Sequence, residues 1–472
     1  MKAILSGGRL GCTLRVALMA GCLLTVGLMT AGPAFAADPS GAETVAENPD
    51  VASDYIWIIM AAALVFIMQG GFAMLTAGLC RAKNVVNLMM KNLMDFTIGS
   101  LAFFMVGFAL MFGADAGGLI GTSGWFLAGD SYDVGTYLLF LFQVMFAATA
   151  ATIVAGAVAE RLKVKAYFLY AIFVCSVVYP IYGHWVWGGG WLSSLPYGVG
   201  HVDFAGSGVV HAVGGFMGLA GAIVLGPRIG KFTKDGKARA IPGHSMVLAA
   251  LGVFILWFGW YGFNAGSTLS ALELRSAVIA VNTTLAASAG AVSALLVIYM
   301  LTKKLDVGMA LNGAIAGLVG ITAPCAWVEG WAAVVIGIIA GAIVVFGVLL
   351  FDRIGVDDPV GAVSVHGLNG IWGLLAVGLF ADGTYGLYTT EGPMVTGLFY
   401  GGGAGQLAAQ AIGVLVVIVW AFGLGMVLFK ALDWALGGIR VSPQEEIEGL
   451  DIGEHGGRAY PNFSVVEDLP YR

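Results

Sequence analysis

Two stretches of this sequence place a carboxylate eight residues before an imidazole, Asp203 to His211 and Asp358 to His366. After each histidine the residues stay in step, with Gly215 and Gly370 at four residues, Gly218 and Gly373 at seven, then Leu219 and Leu374. Both surroundings are apolar and glycine-rich. An ionisable ring there either marks the route of a polar substrate or is a satisfied structural histidine. The shared register favours the first reading, because two imidazoles at one depth can bond to each other and fix their tautomers. Helix capping alone accounts for Asp357 and Asp358, which precede Pro359. Asp203 is a cap too, and its charge near a mouth adds attraction for a cation. Trp187 reads as an interfacial anchor, although the glycines at 188–190 would leave its indole face open for cation–π binding. Phe142 and Phe146, one helical turn apart, read by themselves as packing. His184, His201 and His244 fall near helix ends or in loops and read as structural or exposed.

The elements that must hold these residues are membrane helices. Of 472 residues, 59% are hydrophobic and 11% charged, with a mean hydropathy of +0.90, too little charge to cover a soluble surface. The 72 glycines suit helices that pack closely in lipid. A net charge of −6 argues against a nucleic-acid partner. Runs long enough to cross a bilayer predict eleven spans: 55–79, 91–113, 134–158, 166–186, 204–226, 244–264, 276–301, a short one at 308–322, 331–351, 360–380 and 404–429.

Basic residues give these spans a direction. Arg81, Lys83, Lys91, Arg161, Lys163, Lys165, Arg228, Lys231, Lys234, Lys237, Arg239, Lys303, Lys304 and Arg353 fall in loops on one side, and only Arg275 in a loop on the other. By the positive-inside rule the N-terminus is outside and the tail cytoplasmic. The fifth span then runs inward and the tenth outward. The matching Asp–His segments are therefore antiparallel, the signature of two five-helix halves in inverted repeat plus one additional helix. A weaker echo pairs Gly71-Phe72…Ala77-Gly78 with Gly259-Trp260…Ala265-Gly266.

The domain order follows. Lys2, Arg9 and Arg15, an apolar run and Ala34-Phe35-Ala36 predict a signal peptide over 1–36. An extracytoplasmic segment (37–54), the membrane domain (55–430) and a polar cytoplasmic tail (431–472) come after it. Cys80, Cys175 and Cys325 stand apart without metal-ligand spacing and read as isolated apolar thiols. No Ser/His/Asp set or phosphate loop supports an enzyme, and no cofactor is expected.

At Asp203–His211, Trp260-Tyr-Gly-Phe-Asn-Ala-Gly-Ser267 and Val365-His-Gly the chain resembles the ammonium transporter family (Amt/Mep/Rh). Phe142-Gln-Val-Met-Phe146, Gly156-Ala-Val-Ala-Glu-Arg161, Asp357-Asp-Pro359 and Arg440-Val-Ser-Pro…Glu445-Glu-Ile-Glu-Gly449 match as well. The resemblance runs from residue 52 to about 460. It implies a homotrimer with one pore per subunit in the inner (plasma) membrane. Trp187, Phe142, Phe146 and Ser267, with Asp203, would recruit ammonium. Phe146 and Phe263 would form a stacked gate, Trp260 would line the pore, and His211 and His366 would be its twin histidines. A PII-type regulatory protein would bind the cytoplasmic face. The Rh branch generally lacks the Trp and Ser pair present here. Some relatives carry an acidic residue where this chain has Gly361. A sensor of the same architecture with little transport is the competing reading, and the tail is short for an appended signalling domain.

Overall fold

In lipid, backbone amides and carbonyls have no water to bond, so apolar runs must satisfy them internally as helices. The computed structural model describes residues 38–387 and 393–461. The predicted signal peptide lies outside the described residues. After a short helix at Ala42–Glu47, eleven helices form the membrane domain: α1 Val51–Leu79, α2 Ala82–Phe112, α3 Val134–Ala157, α4 Val164–Trp187, α5 Ser207–Leu225, α6 Met246–Thr268, α7 Ser276–Thr302, α8 Val307–Thr322, α9 Gly330–Arg353, α10 Val363–Phe380 and α11 Gly405–Leu436. All but the short α8 are long and apolar enough to cross a membrane. One expectation needs correction. Lys91, counted above as a loop residue, lies inside α2 and is 1% exposed, because that helix begins nine residues earlier than its apolar run.

The inverted repeat is visible in matching details of α5 and α10. Each opens with a π-helical turn that contains its histidine, Ser207–Ala212 and Val363–Leu368. Each is preceded by an aspartate whose oxygens accept the first free amides: Gly206, Ser207, Gly208 and Val209 bond Asp203, and Ala362 and Val363 bond Asp358. Three residues after each aspartate stands a glycine in the left-handed region, Gly206 (φ 111°) and Gly361 (φ 79°). A side chain is strained there.

Where α5 and α10 cross, a Cβ on Gly215 would collide with the Gly367 backbone. One on Gly370 would lie 2.5 Å from the Ser207 carbonyl oxygen and 2.8 Å from the Ala212 amide. Each repeat-related glycine thus admits the other half's backbone. Helices α1 and α6 cross in the same way, with a Cβ on Gly71 lying 2.8 Å from Leu256 and one on Gly259 meeting Met68 and the Leu64 carbonyl. Small residues at such crossings are how membrane helices gain packing without a hydrophobic drive between them.

Beyond α11, two short helices, α12 Pro443–Glu448 and α13 Leu450–His455, lie against the loop after α1 and the start of α2. The Leu450 amide donates to Asn84 Oδ1 at 3.0 Å, and the Asn87 amide to Asp451 Oδ1 at 2.9 Å.

Candidate functional site

The two crossing helices bring their histidines together. His211 and His366 face each other through their Nδ1 atoms at 3.2 Å, with ring centroids 5.2 Å apart. Both rings are buried, at 0% and 4% exposure. A single proton between two Nδ1 atoms makes one a donor and the other an acceptor. At the far Nε2 atoms the pair then offers one acceptor and one N–H donor. The His211 Nε2 is buried without a hydrogen-bond partner, and such an atom is costly unless something visits it.

Aromatic rings continue from this pair toward the face opposite the tail. His211 stacks on Trp260 and Phe263, at 5.2 and 5.5 Å between centroids. Phe263 lies 4.1 Å from Phe146, which is 4.7 Å from Phe142 and 6.3 Å from Trp187. The Trp260 indole donates to Thr322 Oγ1 at 2.9 Å, which fixes its plane. Trp187 ends α4 half-buried, its indole N–H donating to the Asp203 carbonyl at 2.7 Å. Ser267 is half-buried, and its hydroxyl donates to the Phe263 carbonyl at 2.7 Å, which leaves its oxygen lone pairs free to accept. Asp203 lies behind this vestibule rather than in it. It is 2% exposed and both oxygens are taken by amides, so it reaches a cation only through its field.

On the other side of the histidines, Phe72 tilts against His366 at 6.2 Å. A small cavity there is lined by Phe72, Thr76, Thr152, Asn312 and His366. Phe72, Thr152 and Thr322 were not singled out from the sequence. The echo that aligns Gly71-Phe72 with Gly259-Trp260 was the available signal. Trp260 covers His211 as Phe72 covers His366, and the repeat exchanges the two contacts.

Below this cavity the helix ends are tied by charge. Glu160, in the loop after α3, accepts from the Arg81 amide and Nε, the Asn84 amide nitrogen, and Arg228 Nη1 at 2.6 Å. Arg228 also holds Asp357 in a fork, at 2.8 and 2.9 Å. Glu446 of α12 joins the network by accepting from the Ile229 amide and from Arg440. Glu160 itself sits at φ 68°, a left-handed conformation that persists only where the surroundings impose it.

Burial alone would raise both buried carboxyls, but hydrogen bonds and charge from Arg228, joined at Glu160 by Arg81, outweigh it and hold each at about 2. Their ordinary values are 4.5 and 3.8. Unfolding at low pH therefore takes up protons. The stabilisation is complete above those ordinary values and is lost as pH falls toward about 2. Asp358 has the opposite sense. Burial raises it to about 6 against its bonds from Val363 and Ala362, so its contribution declines as pH rises through that value. We expect the melting temperature of the detergent-solubilised protein to fall steeply as acid titrates the Arg228 pairs. Asp357→Asn should melt lower at neutral pH and lose less on acidification. An acid slope unchanged by D357N would show that these pairs do not set it.

His201, expected to be structural or exposed, is fully buried, and a Cβ at Gly413 would strike its ring. Burial lowers it to about 4, so it is neutral at physiological pH. His184 bridges the Met111 carbonyl and Asp115 at 2.8 and 2.9 Å. Cys80, Cys175 and Cys325 are buried and unpaired by disulfides.

Known proteins resemble this chain over most of its length. The model of the Ammonium Transporter Family matches residues 56–460. Ammonium transporter Amt2 of Archaeoglobus fulgidus is 59% identical over 441 residues, which covers 92% of this chain and 94% of that protein. Ammonium transporter 1 member 2 of Arabidopsis thaliana is 41% identical over 408 residues, covering 82% and 79%. Among solved structures, a Sensor Amt Protein superposes with a TM-score of 0.79 at 40% identity, covering 87% of this chain and 100% of that one. Mep2 of Candida albicans does so with 0.77 at 33%, covering 89% and 93%. With the family model and these relatives spanning most of its length, and with the same fold, the chain is a multi-pass membrane protein that belongs to the ammonium transporter family.

Proposed function

We propose that this protein transports ammonium by recruiting it at a cation–π and hydroxyl site, removing its proton and conducting ammonia past two histidines. Trp187, Phe142 and Phe146 present aromatic faces to the cation, and Ser267 accepts its hydrogen bond. Potassium has no proton to donate to Ser267, so this contact discriminates against it. An intact cation loses its hydration shell at the Phe146–Phe263 stack, a large desolvation penalty. Neutral ammonia avoids most of it. The observation that carries the reading is the imidazole pair, whose outer nitrogens supply one donor and one acceptor inside an otherwise apolar path. Ammonia donates and accepts, and so matches both.

The recruitment site is testable separately from the pore. A cation–π contact is worth about 0.5–2 kcal/mol, so Trp187→Leu should raise the half-saturating concentration of methylammonium roughly 2- to 30-fold. Uptake by cells that lack their own transporter is the measurement. An unchanged concentration dependence would remove Trp187 from the site.

The similarity to a protein titled Sensor Amt Protein keeps a sensor reading in view. Methylammonium uptake by the wild type in the same cells favours transport, whereas good expression without uptake favours the sensor. We further infer a homotrimer in the inner membrane, with the N-terminus outside, the tail cytoplasmic and a PII-type protein docking on the tail face. The basic residues concentrated at that face support the orientation. A monomeric mass in detergent would refute the trimer, and uptake insensitive to added PII protein would refute the docking.

A further inference from the structure

At the end of α4, one helical turn before Trp187, His184 has an acceptor at each ring nitrogen. Nδ1 lies 2.8 Å from the Met111 carbonyl, and Nε2 lies 2.9 Å from Asp115 Oδ1. A carbonyl only accepts, so Nδ1 carries a hydrogen. The Asp115 oxygens also take the Gly118 amide, at 2.9 and 3.0 Å. The bonds from His184 and Gly118 hold the Asp115 carboxyl below its ordinary 3.8. An ionised carboxylate only accepts, so Nε2 carries a hydrogen as well. A ring with hydrogens on both nitrogens is an imidazolium. Among the described residues, the ion pair with Asp115 is the one His184 makes, its ring buried and the carboxylate 43% exposed. The end of α2 and the glycine run after Trp187 present backbone to the ring, and Tyr182 of α4 turns its hydroxyl to the Gly413 carbonyl.

This clamp stands behind the recruitment site rather than in it. A Cβ on Gly188, the residue after Trp187, would lie 2.5 Å from His184 Nδ1 and against the Met111 carbonyl. The backbone that carries the indole thus packs on the clamped bond. The Gly188 and Gly190 amides donate to the His184 carbonyl at 3.0 and 2.9 Å. A hairpin pairing Asp115–Ala116 with Ile120–Gly121 holds the flanking residues. The Trp191 amide donates to its Gly118 carbonyl at 3.0 Å, and the Trp185 indole to its Leu119 carbonyl at 2.7 Å. Asp115 ties this hairpin to the buried ring. A neutral ring keeps one hydrogen only. Its bare nitrogen then faces an acceptor, lone pair to lone pair, and one end of the clamp opens.

We propose that His184 is a positioning residue of the recruitment site: as an imidazolium held between Met111 and Asp115 it fixes the segment that presents Trp187, and loss of its proton releases that segment. This rests on the recruitment of the cation by Trp187 proposed above. His184 touches no substrate itself. Capture of ammonium is tight while the ring is charged and weakens once external alkalinity discharges it.

Methylammonium uptake by the full-length protein in proteoliposomes, with external pH varied from about 5 to about 9, tests this. In the wild type the half-saturating concentration should rise across the range by roughly 2- to 30-fold, the loss expected when the cation–π contact goes. Asp115→Asn should abolish the rise and keep the low value throughout, because the amide turns its carbonyl to a charged ring or its NH2 to a neutral one. Asp115→Ala does neither and should show the high value at every pH. A merely structural pair would reduce the yield of folded protein in both variants and leave half-saturation as in the wild type, which overturns the proposal. So does a wild type without the rise, or a rise that persists in D115N or in Trp187→Leu. Should W187L leave half-saturation unchanged at acid pH, the recruitment reading fails too. Should W187L raise it there, that reading stands without this one.

Discussion

Replacing His211 and His366 together with alanine should slow ammonia passage by roughly 30- to 150-fold, from the loss of two hydrogen bonds worth about 1–1.5 kcal/mol each. The two rings share one bond across the helix crossing, so they act as a unit, and single replacements should not add. His211→Ala leaves His366 without the partner that fixes its tautomer, and the reverse holds for His366→Ala. The space vacated by both rings is polar at the Thr322 and Thr152 ends and apolar between. Water admitted there would lower the desolvation barrier that excludes ions, so potassium permeability should rise as ammonia selectivity falls. Stopped-flow pH changes and potassium leak in proteoliposomes measure the two effects. A double variant with wild-type rate and selectivity would show that the histidines do not line the path.

Glu160→Ala should cost about 3–5 kcal/mol of stability, the range for removing one partner of a buried ionic network. Its carboxylate collects donors from two places in the chain: Arg81 and Asn84 between α1 and α2, and Arg228 after α5. Without it the Arg81 amide loses its acceptor, and Arg228, 4% exposed, keeps Asp357 alone. Relief of the left-handed backbone does not offset this, because alanine is strained at φ 68° as glutamate is. Glu160→Gln retains the shape and should lie between the variant and the wild type. Thermal unfolding in detergent, followed with the yield of folded protein, reads the effect. An E160A melting temperature within a degree or two of the wild type would mean that the network is not what ties these loops.

Much of the site was legible because its residues repeat. The Asp–His register in α5 and α10, the glycines that follow, and the motifs around Phe142, Trp260 and Ser267 all lie in short local segments. Phe72 escaped because its partner in the repeat is a tryptophan, and an aromatic on a membrane helix looks like any other packing residue. Lys91 was misplaced for a related reason. A basic residue next to an apolar run reads as the start of a loop, whereas here the polar start of α2 is buried by α4 and by the tail helix α13. Asp203 was expected to cap its helix and does so with four amides, but it is buried rather than open at a mouth.

By itself the sequence determined that the chain lives in lipid, how many times it crosses, which segments are repeats and which family it belongs to. These follow from span length, charge counts and local motifs, all of which are one-dimensional. Only the tertiary structure decided which atoms meet: Nδ1 against Nδ1 between residues 155 positions apart, and Glu160 among three loops. The reason is physical. In a bilayer the lipid-facing and the protein-facing sides of a helix are both apolar, so hydrophobic periodicity cannot say which side is buried. That choice is made by close packing at glycine crossings.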